Sequence, residues 1–330
     1  MKGSALGGSL QERNSMILTD YLQCNKSIQW DYAVQCGVKN AVIRLPSLKE
    51  FDVTDVSHWG TIVERFENYG LHPIVLEPLP NELHDHIKAG DSERDACIEK
   101  VQKMLPNMAK YGIRTLCFNF MAYEGWTRTD KCISERGGAL VTGFRMEEYQ
   151  SKNDYMITED ELWDNYSYFI KAIVPEAERY EICLALHPDD PPVSRLGNIS
   201  RIMISFENIK KALLIADSPN VGITMCQATY AMMGENLFEV IPALADRIFF
   251  VHFRNVVGEK NCFRETFHDN GMLDMAELLR LYRKCGVDVP IRVDHVPTMA
   301  GEKNDLPGYA ALGRLFAIGY LKGLMDAIED

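Results

Sequence analysis

The sequence predicts a single (β/α)₈ barrel of the α/β class, and three observations lead there. Eight short apolar runs rich in β-branched residues recur along the chain, segments of helical period separate them, and glycines stand where several helices give way to the next run. The runs occupy residues 16–19, 41–45, 73–77, 115–120, 182–187, 222–226, 248–254 and 290–295. Such runs, bounded by turn residues, read as strands buried on both faces, as in parallel sheets. The first carries the weakest signal.

Helical spacing marks residues 93–111, 159–180, 202–216, 237–245, 275–285 and 309–328. The pairs Tyr69-Gly70, Tyr111-Gly112 and Cys285-Gly286 precede strands, where glycine can adopt the left-handed conformation that ends a helix. Eight βα units joined by right-handed crossovers close into a barrel. Two connections exceed simple βα loops. Residues 121–157 hold Trp126, Arg128, Asp130 and Gly137-Gly138, and residues 255–273 hold His268 and Asp269. Long loops at the C-terminal face of a barrel commonly cover its active site.

A chain of 330 residues is of ordinary size for one such barrel. The expected organisation is a flexible segment over residues 1–14 followed by a barrel over 15–330. Apolar residues make up 46% and charged residues 25%, a globular composition. A net charge of −12 argues against nucleic-acid binding, which needs clustered Lys and Arg. Nine cysteines without regular spacing read as reduced thiols. The polar, Gly/Ser-rich start lacks a signal-peptide core, and no apolar run approaches the roughly 20 residues of a membrane span. The expected compartment is the cytoplasm.

Catalytic groups of a barrel sit at the C-terminal strand ends, which surround one mouth. Those ends supply Glu77, Asn119, His187, Cys226, His252 and Asp294, with His295 beside the last. A lone cysteine in an apolar run is usually a small core residue, and a lone histidine usually a hydrogen-bonded structural one. Here His187, Cys226, His252 and Asp294 fall at the same end of four successive strands, which core packing does not account for. Two imidazoles, a thiolate and a carboxylate suit Zn²⁺, Fe²⁺ or Mn²⁺ better than Ca²⁺ or Mg²⁺. A bound ion would stabilise Cys226 as the thiolate.

Other segments suit an anionic, hydroxylated substrate. His187-Pro188-Asp189-Asp190-Pro191-Pro192 is stiffened by three prolines and can fix His187, although its aspartates are equally suited to bonding the local backbone. Trp126-Thr127-Arg128-Thr129-Asp130 offers an aromatic face, a bidentate cation and two hydroxyls; a surface loop anchored by a buried Trp explains it equally well. Arg44 and Arg254 end or follow strands and can offset substrate charge. His268 belongs either to a polar shell around the metal or to an exposed loop.

The segments Cys117-Phe118-Asn119-Phe120-Met121, Trp126-Thr127-Arg128-Thr129-Asp130, His187-Pro188-Asp189-Asp190-Pro191-Pro192, Val251-His252-Phe253-Arg254-Asn255-Val256, Ile291-Arg292-Val293-Asp294-His295 and Pro307-Gly308-Tyr309-Ala310-Ala311-Leu312-Gly313-Arg314 resemble, in order and spacing, those of the D-mannonate dehydratases. The likeness runs from about Trp59 to the C-terminus. It implies a xylose-isomerase-like barrel that converts D-mannonate to 2-keto-3-deoxy-D-gluconate and water, a hydro-lyase of sugar-acid (hexuronate) catabolism. It further implies Mn²⁺, with Fe²⁺ the alternative, held by His187, Cys226, His252 and Asp294, and proton transfer by His295 and Tyr309. Asn119, Trp126, Arg128, Arg44, Arg254 and His268 are the expected substrate contacts, and a homo-oligomer is expected because barrels of this group are often dimers or larger.

Three stretches depart from the family pattern. Gln227-Ala228-Thr229-Tyr230 replaces small residues after Cys226 and is expected to narrow or reshape the pocket. Val296-Pro297 replaces a glycine-containing turn, and Ala122-Tyr123-Glu124-Gly125 replaces a proline-containing stretch. They bear on which acid is taken. The competing readings are a dehydratase for another aldonic acid, a metal-dependent sugar isomerase or epimerase of the same barrel group, and a non-catalytic sugar-acid binder. The single carboxylate ligand disfavours the isomerase, and a binder has no need of a proton-transfer pair.

Overall fold

A computed structural model describes residues 16–151 and 153–328. The segment 1–14, expected to be flexible, lies outside the described residues. All eight predicted runs are strands of one closed parallel barrel: Ile17–Gln23, Asn40–Arg44, His72–Leu76, Thr115–Phe118, Cys183–Leu186, Val221–Cys226, Ile248–Phe253 and Pro290–Val293. They neighbour one another in chain order, and the first closes on the eighth through Ile17↔Pro290 and Thr19↔Arg292. The first strand continues past residue 19 to Gln23, in register with Asn40–Arg44. Its extension was obscured in the sequence because Asp20, a buried residue, breaks the apolar run; Arg314 Nη1 lies 3.4 Å from Asp20 Oδ1, and the Tyr21 N–H donates to the same oxygen.

Val42, Val75, Cys117, Ala185 and Phe250 fill the barrel interior. A larger apolar layer, including Trp59, Phe66, Leu105, Phe169, Ile223 and Leu321, packs the helices onto the outside. The helices are Ile28–Gln35, Val56–Glu67, Asn81–Ala89, Arg94–Lys110, Glu159–Arg179, Phe206–Ala216, Gln227–Met232, Leu237–Leu244, Met275–Lys284 and Ala311–Ile328. The expected helix start at residue 202 moves to Phe206, because the Ser205 hydroxyl caps the helix by accepting the Asn208 N–H. Gly70, Gly112 and Gly286 carry φ of +78°, +76° and +71°, and a Cβ there would meet nothing within 4 Å, so backbone conformation rather than space selects glycine.

The two long connections meet. Residues of the loop after the fourth strand form Asp130–Ser134 and Leu140–Arg145, those after the seventh form Val256–Glu259 and Cys262–Glu265, and the four make one antiparallel sheet. Phe144 and Phe263 seat it on Val193, Leu196, Ala228 and Met232. Sequence analysis missed this sheet, since its strands are short and mix charges with apolar residues. All nine cysteines are unpaired, and no helix among the described residues is long and apolar enough to cross a membrane.

One core residue is chemically out of place. His84, on the helix Asn81–Ala89, has no exposure, its ring finds no hydrogen-bond partner among the described residues, and it lies against Phe118, Phe120 and Phe169. Burial, and secondarily the Lys88 charge, hold its pKa well below the ordinary imidazole value. The unfolded chain therefore binds a proton that the native state refuses, and stability falls as pH drops below about 6.5, by up to roughly 1.4 kcal/mol per unit from this group. His84→Leu should flatten the dependence of Tm on pH between about 6.5 and 5; thermal melts across that window that remain parallel to wild type would refute the assignment.

Candidate active site

The fourth, fifth and eighth strands stop at Phe118, Leu186 and Val293, so Asn119, His187 and Asp294 stand just beyond the ladder, at the mouth. His187 is fixed locally. Its Nδ1–H donates to the Pro188 carbonyl at 2.6 Å, which leaves the Nε2 lone pair facing His252 Nδ1 at 3.1 Å. Burial lowers the His187 pKa, despite opposing pulls from Asp294 and Glu77, so the ring is kept neutral. On the far side of His252, Nε2 lies 3.0 Å from Glu77 Oε1.

The donor atoms of His187, Cys226 and His252 lie within 4.8 Å of one another. Asp294 Oδ2 is 3.7 Å from His252 Nδ1. Two ring nitrogens at 3.1 Å, both with lone pairs turned inward, are spaced as they are when each sits about 2.1 Å from a shared ion. The Pro188 carbonyl fixes one imidazole by a hydrogen bond, and the Glu77 carboxylate lies 3.0 Å behind the other, the kind of outer partner usual for metal-bound histidines. The donor set therefore fits a transition-metal ion. A second group, Glu77, Cys117 and His252, fits less well. Burial raises the Cys117 thiol well above its ordinary pKa, and its nearest donor is the Thr224 hydroxyl.

The buried charges around the mouth are paired. Glu77, Asp190, Glu265 and Asp294 are buried, yet their pKa values are lowered, because neighbouring Arg and His charges override the cost of burial. Arg128, Arg254 and Arg292 are the guanidiniums that face them. Arg44 and Lys88 also line the cavity and Arg201 is a further buried cation beside Asp190, so charges of both signs are interleaved around the mouth.

Arg254 links the parts of this network. Its Nε donates to Cys226 Sγ at 3.3 Å, Nη1 to Glu265 Oε1 at 2.6 Å, and Nη2 to Asp190 Oδ2 at 2.7 Å and the Thr229 hydroxyl at 2.8 Å. Arg128 donates to the same two carboxylates, at 2.7 Å to Asp190 Oδ1 and also to Glu265 Oε1. Arg292 pairs with both oxygens of Glu77, at 2.8 and 2.9 Å, and donates to Asp294 Oδ1 at 2.8 Å.

His295 lies where these groups meet. Its Nδ1 is 2.9 Å from Glu265 Oε1 and 2.7 Å from Arg254 Nη1, and its Nε2 is 3.2 Å from the Tyr309 hydroxyl. With a proton on Nδ1 the ring donates to Glu265 and turns its Nε2 lone pair to Tyr309; with Nδ1 bare it accepts from Arg254 and turns Nε2–H to Tyr309. Burial, reinforced by Asp294, keeps the Tyr309 phenol protonated. The His295 backbone has φ of +29°, in the left-handed region that a side chain rarely occupies, as happens where surroundings force a functional residue into place.

A cavity of about 360 Å³ opens at this mouth and is lined by His187, His252, Asp294, His295 and Tyr309. Of the expected substrate contacts, Arg44, Asn119 and Trp126 also line it. Arg128, Arg254 and His268 do not: the two arginines form the buried network behind the wall, and His268 is a fully buried ring whose Nε2 lies 2.8 Å from the Phe253 carbonyl oxygen, with its pKa pushed down by burial to about 4. The two aspartates after His187 divide their roles. Asp189 accepts the Ile202 and Met203 N–H groups, while Asp190 serves the network.

The departures from the family pattern also separate. None of Gln227, Ala228, Thr229 and Tyr230 lines the cavity, contrary to expectation. They begin a short helix that points inward: Thr229 donates to Cys226 Sγ at 3.1 Å, and Gln227 donates to the Arg254 carbonyl at 3.3 Å. Tyr123 and Gly125, from the stretch before Trp126, do line it. Sequence reasoning missed Glu265 and Arg292 altogether, although Arg292 stood two residues before Asp294 within a quoted motif. It read Glu77 as a strand end without a role.

The D-mannonate dehydratase (UxuA) family model matches residues 16–160 and 145–330, starting earlier than Trp59, where the motif likeness began. The chain belongs to the D-mannonate dehydratase family. A mannonate dehydratase of Streptococcus agalactiae is 35% identical over 297 residues, covering 80% of this chain and 84% of that protein. One from Shouchella clausii is 32% identical over 347 residues, covering 94% and 96%. The crystal structure of mannonate dehydratase from Streptococcus suis aligns with a TM-score of 0.84 at 28% identity, covering 96% of this chain and 94% of that one. An L-ribulose 3-epimerase aligns at 0.61 with 12% identity, a likeness of fold alone.

The network makes a stability prediction. Glu265→Leu leaves two buried guanidiniums short of a partner and should cost about 3–5 kcal/mol, read as a lower denaturation midpoint. Arg136→Ala, which breaks a half-exposed pair with Asp269, should cost under about 1 kcal/mol. Equal effects would contradict the dependence on burial.

Proposed function

We propose that this member of the family dehydrates D-mannonate to 2-keto-3-deoxy-D-gluconate, using a divalent ion held by His187, Cys226, His252 and Asp294. The observation that carries the reading is the convergence of two imidazoles and a thiol beside the His295–Tyr309 pair at one barrel mouth. Mn²⁺, with Fe²⁺ the alternative, suits this mixed donor set. Nine unpaired thiols favour a cytoplasmic enzyme.

Dehydration removes the proton from the carbon next to the carboxylate and expels the neighbouring hydroxyl as water; the resulting enol becomes the 2-keto-3-deoxy acid. When bound, the ion supplies Lewis-acid stabilisation of charge developing on the carboxylate. His295 and Tyr309 carry the two proton transfers, each step contributing about 10²–10⁴-fold. Glu265 orients His295 through Nδ1, and Arg254 holds Glu265 ionised. Trp126 walls the site; its ring lies 5.1 Å from that of His295. Asn119 and Arg44 line the cavity and complete the proposed substrate contacts.

Dialysis against a chelator should abolish formation of keto acid from mannonate, and Mn²⁺ should restore it. His295→Asn should abolish turnover with metal content unchanged; loss of metal would make His295 a ligand instead. Glu77→Gln should weaken metal binding by about 10–100-fold, because Glu77 orients a ligand without being one. A purified enzyme that interconverts aldoses and ketoses but makes no keto acid from any aldonate would establish the isomerase reading.

A further inference from the structure

The helix Asn81–Ala89 follows the third barrel strand and crosses the mouth. Asn81, Asp85 and Lys88 recur at the spacing of one helical face, and all three line the cavity that holds His295 and Tyr309. Lys88 is the unusual member. It is 3% exposed, and among the described residues its ammonium has one direct partner, Asp85 Oδ1 at 2.9 Å. An ammonium carries three donors, and a buried charge needs its hydrogen bonds satisfied. One turn earlier lies His84, caged by phenylalanines; of the buried charges nearby, Asp189 attracts the ammonium and Arg201 repels it, neither paired with it. The cavity, which Lys88 lines, offers room for further acceptors.

The rest of the cavity wall assigns the ends. The carboxylate and the reacting carbons belong beside His187, His252 and Asp294, where the ion and the His295–Tyr309 pair converge. Arg44, Pro78 and Asn81 border both this cavity and a second one that opens toward Gln23 and Ser47, so the helix lies on the entrance side. A six-carbon acid anchored at the ion extends its remaining hydroxyls along this wall.

We propose that Lys88, Asp85 and Asn81 form the subsite for the hydroxyl-bearing end of the sugar acid, remote from the reacting carbons. Lys88 donates to hydroxyl oxygens, Asp85 accepts from a neighbouring hydroxyl, and the pair reads two adjacent positions at once. The subsite determines substrate length and the configuration of the distal carbons. It rests on the dehydratase reading for the identity of the substrate.

The test compares D-mannonate with a four-carbon aldonate that keeps the carboxylate and the 2- and 3-hydroxyls but lacks the distal end, each bound to the metal-loaded enzyme and measured by calorimetry and turnover. Lys88→Met should raise the Kd and KM for mannonate by about 10–100-fold with little change in kcat, while the Kd for the four-carbon acid stays within about twofold. Asp85→Asn, at a side chain 60% exposed and therefore safe for folding, should show the same selectivity with a smaller loss. Equal weakening for both acids would place Lys88 at the reacting end and overturn the proposal, as would unchanged mannonate binding. Wild type that binds mannonate without making keto acid would overturn the dehydratase reading, and the binding comparison would still judge Lys88. Failure of wild type to bind mannonate would overturn both.

Discussion

Arg254 donates to Cys226, Glu265, Asp190 and Thr229 from a position without solvent exposure, and three separate chain segments are thereby held to one guanidinium. A buried cation costs several kcal/mol unless its donors are met, so its partners are constrained as strongly as it is. The thiol at the end of the sixth strand, the carboxylate from the antiparallel sheet and the aspartate after His187 have little freedom to move independently. His295 inherits its place from this arrangement, wedged between Glu265 and Tyr309 with its backbone in the left-handed region.

The same electrostatics explains how so many ionised groups coexist at one mouth. Like charges are separated by interleaving: Arg292 stands between Glu77 and Asp294, and Arg128 and Arg254 stand between Asp190 and Glu265. The bidentate fork of arginine suits this role, which an ammonium could not fill with the same geometry. Lys88 lies outside that lattice, on the helix that lines the cavity, where its ammonium is paired with Asp85.

The barrel was legible because its strands are buried on both faces and so appear as uninterrupted apolar runs, from Val42 in the second to Val251 in the seventh. The proposed ligands were legible because strand ends share a mouth whatever lies between them. Buried charge was not. Asp20 hid the length of the first strand, and Glu265 and Arg128 owe their positions to pairings between loops far apart in sequence, which no local pattern encodes. Gln227–Tyr230 misled in the opposite direction: larger side chains after Cys226 suggested a narrower or reshaped pocket, but the short helix turns them toward the core and toward Arg254.

The antiparallel sheet over the mouth draws two strands from each of two distant loops, with Cys262↔Arg145 and Phe263↔Phe144 in register across the join. One loop brings Arg128 and the other Glu265, and the two meet as an ion pair only when the sheet is assembled. Grafting either loop alone from a relative would therefore leave an unmatched edge and an orphaned charge, whereas exchanging both as a matched unit would preserve the seam. Variation in this part of the enzyme is thus coupled across more than a hundred residues of chain, and natural or engineered chimaeras have to respect that coupling.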